Sequence, residues 1–169
     1  MNYETRPPRR GLTPPLSPDI STDIARLEYV VFTKADRTLA WRTFCDISLW
    51  PRFSDHYGSI QWRGAPWVPG SRLRIEVRGL IEATVDRVIT VCMPPHHLAW
   101  INHVRGYTME QWVSFDPFQG GGSRVSTWLE VTGAELSLRG DKDLKMVKTI
   151  LAGWFENFAA ECDLLARDR

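Results

Sequence analysis

Arg87 is the residue of this sequence whose type and position point most directly to chemistry. Ala83, Val85 and Arg87 alternate with polar residues, and successive side chains of a strand point to opposite faces. This phase places Arg87 on an inner, apolar face, where its guanidinium keeps its charge and needs a carboxylate, phosphate or enolate partner. It could stabilise an oxyanion during cyclisation or aldol chemistry. The alternative is a β-bulge at residues 88–91 that turns Arg87 outward.

Three neutral polar residues, Tyr107, Gln111 and Thr127, also fall in the inward phase of their strands. Buried hydroxyl and amide groups need hydrogen-bond partners, and a carbonyl or hydroxyl group of a ligand could supply one. The alternative is that these side chains bond to the backbone or to one another. Both interpretations stay open at this point.

His103 could act as a general acid or base, because the pKa of imidazole lies near neutrality. A strand-end histidine that bonds to solvent is the alternative. His97 and His103 share one phase of their strand, roughly 20 Å apart, while His96 and Asn102 share the other, and the sequence leaves the inward phase undecided. No His-x-His or His-x-x-x-His spacing occurs, so we expect no metal site.

The carboxylates of the predicted strands alternate out of phase with the apolar residues. They are Glu76, Glu82, Asp86, Glu110 and Glu130. We expect them on a solvated outer face. A pair of carboxylates inside the protein, as glycosidases use, is therefore not expected.

The elements that must position these residues are a sheet and one long helix. The spacing predicts a helix from about Asp141, as N-cap after Gly140, to Arg167, with an apolar stripe at steps of three and four: Leu144, Val147, Leu151, Phe155, Phe158, Cys162 and Leu165. About seventy preceding residues read almost entirely as strands. A sheet that curls around a single helix can leave a space between the two. The pattern therefore predicts a cavity.

The remaining elements complete an α+β pattern of one strand, two short helices, six strands and the long helix. Residues 27–33 predict the first strand, and Asp36 is a plausible N-cap of the first helix. Asp46 or Ser48 can cap a second short helix that contains Trp50 and Phe53. Residues 1–22 hold five of the eleven prolines and predict a flexible arm, which leaves residues 23–169 as a single domain.

Composition limits the classes of partner. The chain has 43% hydrophobic and 24% charged residues and a formal net charge of +1, which gives no sign of nucleic-acid binding. Cys45, Cys92 and Cys162 form no Cys-x-x-Cys pair, which favours a reducing cytoplasm over a disulfide framework. No apolar run approaches the roughly 18 residues of a membrane span. The N-terminus lacks the apolar core of a signal peptide.

Between Ile24 and Leu165, the order of elements and several local landmarks resemble the helix-grip superfamily called SRPBCC. The landmarks are the first strand and helix from Glu28 to Phe44, Leu49-Trp50-Pro51-Arg52-Phe53, Pro69-Gly70-Ser71-Arg72-Leu73, Pro94-Pro95-His96-His97-Leu98-Ala99-Trp100 and Gly122-Ser123-Arg124-Val125. The superfamily includes START lipid-transfer domains, birch-pollen-allergen-like proteins and bacterial polyketide cyclase/dehydrase-like proteins, of which the last is the nearest resemblance. It implies a curved antiparallel sheet of about seven strands wrapped around the C-terminal helix.

The resemblance also implies a small, mostly hydrophobic or aromatic ligand in an internal cavity. Three alternatives stay open, because one fold hosts many functions: a polyketide cyclase or dehydratase-like enzyme, a carrier of lipid or another hydrophobic ligand, and an interaction protein resembling activators of a chaperone ATPase. The ligand-binding candidates are Trp50, Phe53, Ile75, Val85, Met109, Val113, Thr127, Leu129, Leu151, Phe155 and Phe158.

If the protein is an enzyme, its candidate catalytic residues are Arg87, His103, Tyr107 and Gln111. Together they would orient and polarise the carbonyl groups of an unsaturated or polyketide-like substrate. We expect no cofactor. A monomer and a homodimer are both compatible with the sequence.

Overall fold

The structure is a computed structural model that describes residues 24–79, 82–133 and 136–168. The predicted proline-rich arm, residues 1–22, lies outside the described residues. Within them, seven antiparallel strands form one sheet in the order β1-β7-β6-β5-β4-β3-β2. The strands are β1 (Ile24–Thr33), β2 (Tyr57–Arg63), β3 (Arg72–Val77), β4 (Ala83–Met93), β5 (His97–Val104), β6 (Tyr107–Pro117) and β7 (Ser123–Thr132). The prediction of about seven strands is confirmed.

Two short helices follow β1, as the sequence predicts. Helix α1 (Arg37–Cys45) begins at Asp36, whose carboxylate accepts a hydrogen bond of 2.8 Å from the backbone N–H of Leu39. A 3-10 turn at Ile47–Leu49 leads into α2 (Trp50–Phe53). The turn is capped by Asp46, which accepts a bond of 3.1 Å from the backbone N–H of Ser48. These caps set where α1 and the 3-10 turn begin.

The long helix α3 (Leu136–Arg167) begins five residues before the predicted start at Asp141. The prediction that Gly140 ends the preceding loop is therefore wrong. A glycine inside a helix costs about 1 kcal/mol relative to alanine but does not stop the helix. The described elements otherwise follow the predicted order of strand, two helices, six strands and long helix.

Helix α3 is buried most deeply in its C-terminal half. Trp154, Phe155, Phe158 and Cys162 are each no more than 6% exposed, whereas Leu144 and Leu151 are half-buried. Polar contacts hold the same half against the neighbouring elements. They are Tyr29 to Glu156, Thr33 and the Lys34 backbone to Asp163, Arg52 to Glu161, and Asn157 to the Phe53 carbonyl. The side chains of α3 that face the space under the sheet lie in the middle of the helix, from Val147 to Phe155.

The centre of the core is Phe44 of α1, which packs against aromatic rings from the sheet and from the other two helices. Its neighbours include Trp50, Trp100, Phe115, Trp154, Phe155 and Phe158. Such edge and offset ring contacts stabilise a core beyond the area that they bury. None of the helices in the described part of the chain is long and apolar enough to cross a membrane.

Candidate ligand-binding cavity

A cavity lies between the inner face of the sheet and helix α3. Its volume is about 160 Å³, close to the roughly 150 Å³ of an engineered apolar cavity that binds benzene. The described residues that line it are Phe44, Trp50, Tyr57, Ile75, Val77, Ala83, Val85, Arg87, Trp100, Asn102, Val104, Met109, Gln111, Leu129, Val147, Ile150, Leu151, Trp154 and Phe155. The space therefore accommodates about one aromatic ring between mainly apolar walls.

Seven of the apolar residues predicted to contact a ligand line this cavity. They are Trp50, Ile75, Val85, Met109, Leu129, Leu151 and Phe155. The four other predicted contacts are buried but do not line it: Phe53, Val113, Thr127 and Phe158. Phe53 packs instead on Trp154, with ring centroids 5.0 Å apart, and on Phe158. These four residues are therefore inside the protein, as expected, but lie in the packed layer beside the cavity rather than at its wall.

Arg87 lines the cavity and points inward, as its phase predicts. It lies opposite Leu73 in a regular β3–β4 pairing, and the irregularity in the β4–β5 pairing comes later, between Ile89 and Val91. The alternative bulge therefore forms too far along the strand to turn Arg87 outward. Its Nε atom is buried and has no hydrogen-bond acceptor among the described residues.

Two tryptophans stabilise the Arg87 guanidinium. The Cζ atom lies 4.9 Å from the centroid of the Trp100 ring and 5.4 Å from that of Trp50, within the range of a cation–π contact. Trp50 is itself fixed, because its indole N–H donates a hydrogen bond of 2.8 Å to the Phe44 carbonyl. The positive charge is thus held in place by aromatic rings.

Four cavity residues with polar groups were not among the predicted site residues: Tyr57, Trp100, Asn102 and Trp154. Trp154 is 6% exposed, and its indole N–H has no acceptor among the described residues. Asn102 is also 6% exposed and adds an amide to the wall. Alternation along β5 could not have identified the Asn102 amide, because both phases of this strand contain apolar residues. Tyr57 adds a phenol group where β2 begins.

Gln111 lines the cavity, and Thr127 lies behind it. The Gln111 Nε2 atom donates a hydrogen bond of 3.0 Å to the Thr127 hydroxyl, which donates one of 2.7 Å to the Trp112 carbonyl. Thr127 therefore bonds within the protein rather than to a ligand, because its hydroxyl has its hydrogen-bond partners there. Thr127 therefore orients Gln111, and Gln111 is the residue that can reach a ligand.

Tyr107 is buried but is not part of the described cavity wall. It packs with Leu129 and Val131 in a separate cluster, and its hydroxyl donates a hydrogen bond of 3.1 Å to Asp143 of α3. The inward phase was predicted correctly, but the residue lies beyond the space that a ligand would fill. Its observed contact joins the sheet to α3.

His103 lies on the outer face of the sheet and is exposed. Its Nδ1 atom is 2.9 Å from the Thr108 hydroxyl. Trp100 and Asn102 occupy the inward phase of β5, so His103 must point the other way. The placement of His103 with the catalytic candidates is therefore corrected: the structure does not bring it to the cavity.

The cavity wall contains no group that is anionic at neutral pH. Within the described residues, no Asp, Glu, His, Lys or Cys side chain lines it. Two of the strand carboxylates engage arginines outside it: Asp86 accepts two hydrogen bonds of 2.8 Å from Arg74, and Glu76 accepts one of 3.1 Å from Arg78. In this part of the chain, three or more metal-ligating side chains also do not cluster as a metal ion would require. The described residues of the cavity wall thus provide no negative charge to pair with the positive charge of Arg87.

Solved structures with the same arrangement include proteins of several kinds. The structure of Ara h 8.0201 matches with a TM-score of 0.70 and 12% identity, over 83% of this chain and 98% of that one. A norcoclaurine synthase from Thalictrum, crystallised with a transition-state analogue, gives 0.68 and 10%, over 85% and 96%. The di-domain ARO/CYC StfQ of the steffimycin biosynthetic pathway gives 0.72 and 14%, over 85% of this chain and 52% of that one.

No model of a protein family and no curated protein matches the chain. The structural matches share its antiparallel sheet, its long C-terminal helix and the two short helices after the first strand. At such low identities a likeness of this kind shows the fold. The chain therefore has the helix-grip fold of the SRPBCC superfamily, the fold of the birch-pollen-allergen-like proteins.

Proposed function

We propose that this protein binds one small, mostly hydrophobic molecule in the cavity under α3. The observation that carries the proposal is a mainly apolar space whose wall includes Arg87 and Trp154, each with a buried donor, Nε and the indole N–H, that has no acceptor among the described residues. Buried donors normally have partners, and a ligand in the space would supply them. A cavity that is mainly apolar with a few convergent polar groups is also the usual form of a small-molecule site.

The volume of the cavity favours a ligand of one or two rings. Pockets for drug-sized ligands usually measure roughly 300–1,000 Å³, and this cavity is about 160 Å³. A lipid with two acyl chains is disfavoured for the same reason. Within the alternatives considered, a carrier of a compact aromatic molecule fits better than a carrier of membrane lipid.

A cyclase or dehydratase-like activity is the second candidate, and the Arg87 position favours it. The guanidinium could stabilise the oxyanion of an enolate, Gln111 could orient a carbonyl, and the phenol of Tyr57 could exchange a proton. Support also comes from the fold neighbours, since StfQ is an ARO/CYC protein and another is a norcoclaurine synthase. Binding remains the primary proposal because it requires only the cavity.

The proposed setting is a reducing cytoplasm, with the three cysteines as thiols. Cys45, Cys92 and Cys162 are free in the structure, and their spacing favours no disulfide framework. An exposed surface for a chaperone ATPase, the remaining alternative, has no specific observation in its favour and is not proposed.

The test of binding uses indole as a neutral ring probe and a variant with a filled cavity. Val85→Phe places a larger side chain in the space, whereas Thr84→Phe, its neighbour on the exposed outer face of β4, serves as the matched control. A ligand at about 100 times its Kd stabilises a protein by about 2.7 kcal/mol. We expect indole to raise the Tm of the wild type and of Thr84→Phe but not of Val85→Phe.

Two-dimensional NMR on the same proteins locates the binding. Indole should shift the signals of cavity residues such as Leu129 and Leu151 in the wild type. If a folded Val85→Phe responds to indole as strongly as the wild type does, the cavity is not the binding site and the proposal fails. Absence of any response in the wild type would also contradict it.

A further inference from the structure

We infer that the cavity selects a small aromatic carboxylate, whose anionic group binds the Nε edge of Arg87 while its ring fills the apolar space. This inference rests on the proposed function and names its ligand class. It begins from charge. The described ion pairs engage Arg26, Arg52, Arg74, Arg78 and Arg124. Arg87 has no carboxylate partner among the described residues and, unlike the other arginines without an ion pair, it lines the cavity, where a ligand can supply one.

The geometry of the donor favours a carboxylate. Cation–π contacts to Trp50 and Trp100 stabilise the charge but leave Nε without an acceptor. A carboxylate can accept two parallel hydrogen bonds from Nε and the adjacent terminal nitrogen of a guanidinium. Of the rings that flank the guanidinium, Trp50 is held by its hydrogen bond to the Phe44 carbonyl, and Trp100 is 2% exposed and stacked on Phe44, so the side chain is oriented before a ligand arrives.

A second donor on the opposite wall favours the same ligand. The indole N–H of Trp154 on α3 is an obligate donor, and it too is buried without an acceptor in the described structure. Two donors of this kind select a ligand rich in acceptor oxygens over a pure hydrocarbon. The cavity volume of about 160 Å³ then limits the remainder of the molecule to about one ring.

The experiment compares benzoate with benzamide, which has nearly the same shape and no charge. Isothermal titration calorimetry on the full chain measures both probes. We expect benzoate to bind at least tenfold more tightly than benzamide. Arg87→Gln should remove this preference while leaving benzamide affinity within about twofold, because the ring contacts remain.

Arg72→Gln is the matched control. Arg72 is exposed at the start of β3, so the substitution removes the same charge from the chain without touching the cavity. This variant should retain the benzoate preference. A repeat with the wild type in 0.5 M NaCl tests the location of the anion independently of any variant. A partly buried pair is screened far less than a surface pair, so the preference should persist.

The outcomes separate this inference from the proposed function. Equal affinities for benzoate and benzamide, a preference that survives Arg87→Gln, or a preference abolished by salt would each overturn the carboxylate assignment. Binding of indole without binding of benzoate would do the same and leave the cavity proposal intact. If indole, benzoate and benzamide all fail to bind the wild type, both proposals are overturned.

Discussion

At the scale of single residues, the arginines of neighbouring strands have opposite roles. Arg74 donates two hydrogen bonds to Asp86 on the outer face of the sheet, whereas Arg87 points into the cavity. The Arg74 guanidinium holds the pKa of the Asp86 carboxyl below its usual range. One arginine is therefore neutralised by the protein, and the other keeps its donors available for a ligand.

This difference leads to a prediction about pH. Because the pKa of Asp86 is lower in the folded chain than in the unfolded one, the Arg74 pair stabilises the fold at pH values above the unfolded pKa, about 4. That contribution is lost as the pH falls through the folded pKa. We expect Asp86→Asn to be less stable than the wild type at pH 7, with the difference shrinking toward pH 2. Urea denaturation at several pH values measures this difference in the free energy of unfolding.

The exposed Asp55→Asn is the control for the pH series, because no partner of the Asp55 side chain is seen among the described residues. It should change stability little at any pH. A difference between Asp86→Asn and the wild type that stays constant from pH 7 to pH 2 would contradict the role assigned to the pair.

Alternation favoured the inward direction that Arg87 has in the structure and left the direction of His103 undecided, for a physical reason. Around Arg87 one phase is apolar and the other polar, so alternation decides which side is buried. In β5 both phases contain apolar residues, since Ala99 and Ile101 share the phase of His103 while Leu98 and Trp100 take the other. Alternation therefore could not decide the orientation of β5.

At the scale of elements, α3 combines a firmly held C-terminal half with a middle segment, from Val147 to Phe155, that lines the cavity. Its apolar stripe was predictable, because the spacing of three and four follows from helix geometry. Its start at Leu136 was not, because a helix can continue through Gly140 at a modest cost in free energy. The stripe shows which face is buried, and only packing decides where the helix begins.

Gly153 provides a test of α3. A Cβ atom added there meets no atom within 4 Å, and glycine inside a helix costs about 0.5–1 kcal/mol relative to alanine. We expect Gly153→Ala to increase the free energy of unfolding by about this amount, as measured by urea denaturation.

Gly122→Ala is the contrasting variant. Its Cβ would collide with the backbone carbonyl oxygen of Thr33, so this substitution should destabilise the protein. Loss of stability in Gly153→Ala would mean that α3 requires the glycine for a reason other than available space.

At the scale of the whole molecule, the reactivity of one buried thiol, that of Cys162, can show whether α3 stays packed on the sheet. Cys162 of α3 is fully buried, and burial raises the pKa of its thiol to about 12. Only the thiolate reacts readily with disulfide reagents. Its reactivity in the folded protein therefore requires opening of the core.

We expect Cys162 in a Cys45→Ala, Cys92→Ala background to resist an aromatic disulfide reagent at pH 8. The labelling rate should rise with urea in parallel with global unfolding, because separation of α3 from the sheet exposes the sulfur. Labelling of the same variant in concentrated urea supplies the fully reactive reference. Rapid labelling without urea would show that α3 detaches locally.

The existence of a cavity was predictable from the element order, but its volume was not. Volume depends on how far each side chain reaches into the shared space, and Phe53, Val113 and Phe158 have the right phase yet lie in the packed layer beside it. Periodicity assigns a residue to a face. Only the packed structure distinguishes a residue that fills the core from one that borders an empty space.

Five of the eight tryptophans fall into two groups that the sheet separates, and Trp41, Trp62 and Trp67 belong to neither group. Trp50, Trp100 and Trp154 border the cavity, whereas Trp112 and Trp128 stack on the outer face with ring centroids 5.6 Å apart. Indole emission depends on nearby charges and on exposure to water, so a molecule that enters the cavity alters the inner group and leaves the outer pair as a constant background. Intrinsic fluorescence of the unlabelled protein can therefore serve as a direct signal for screening compounds.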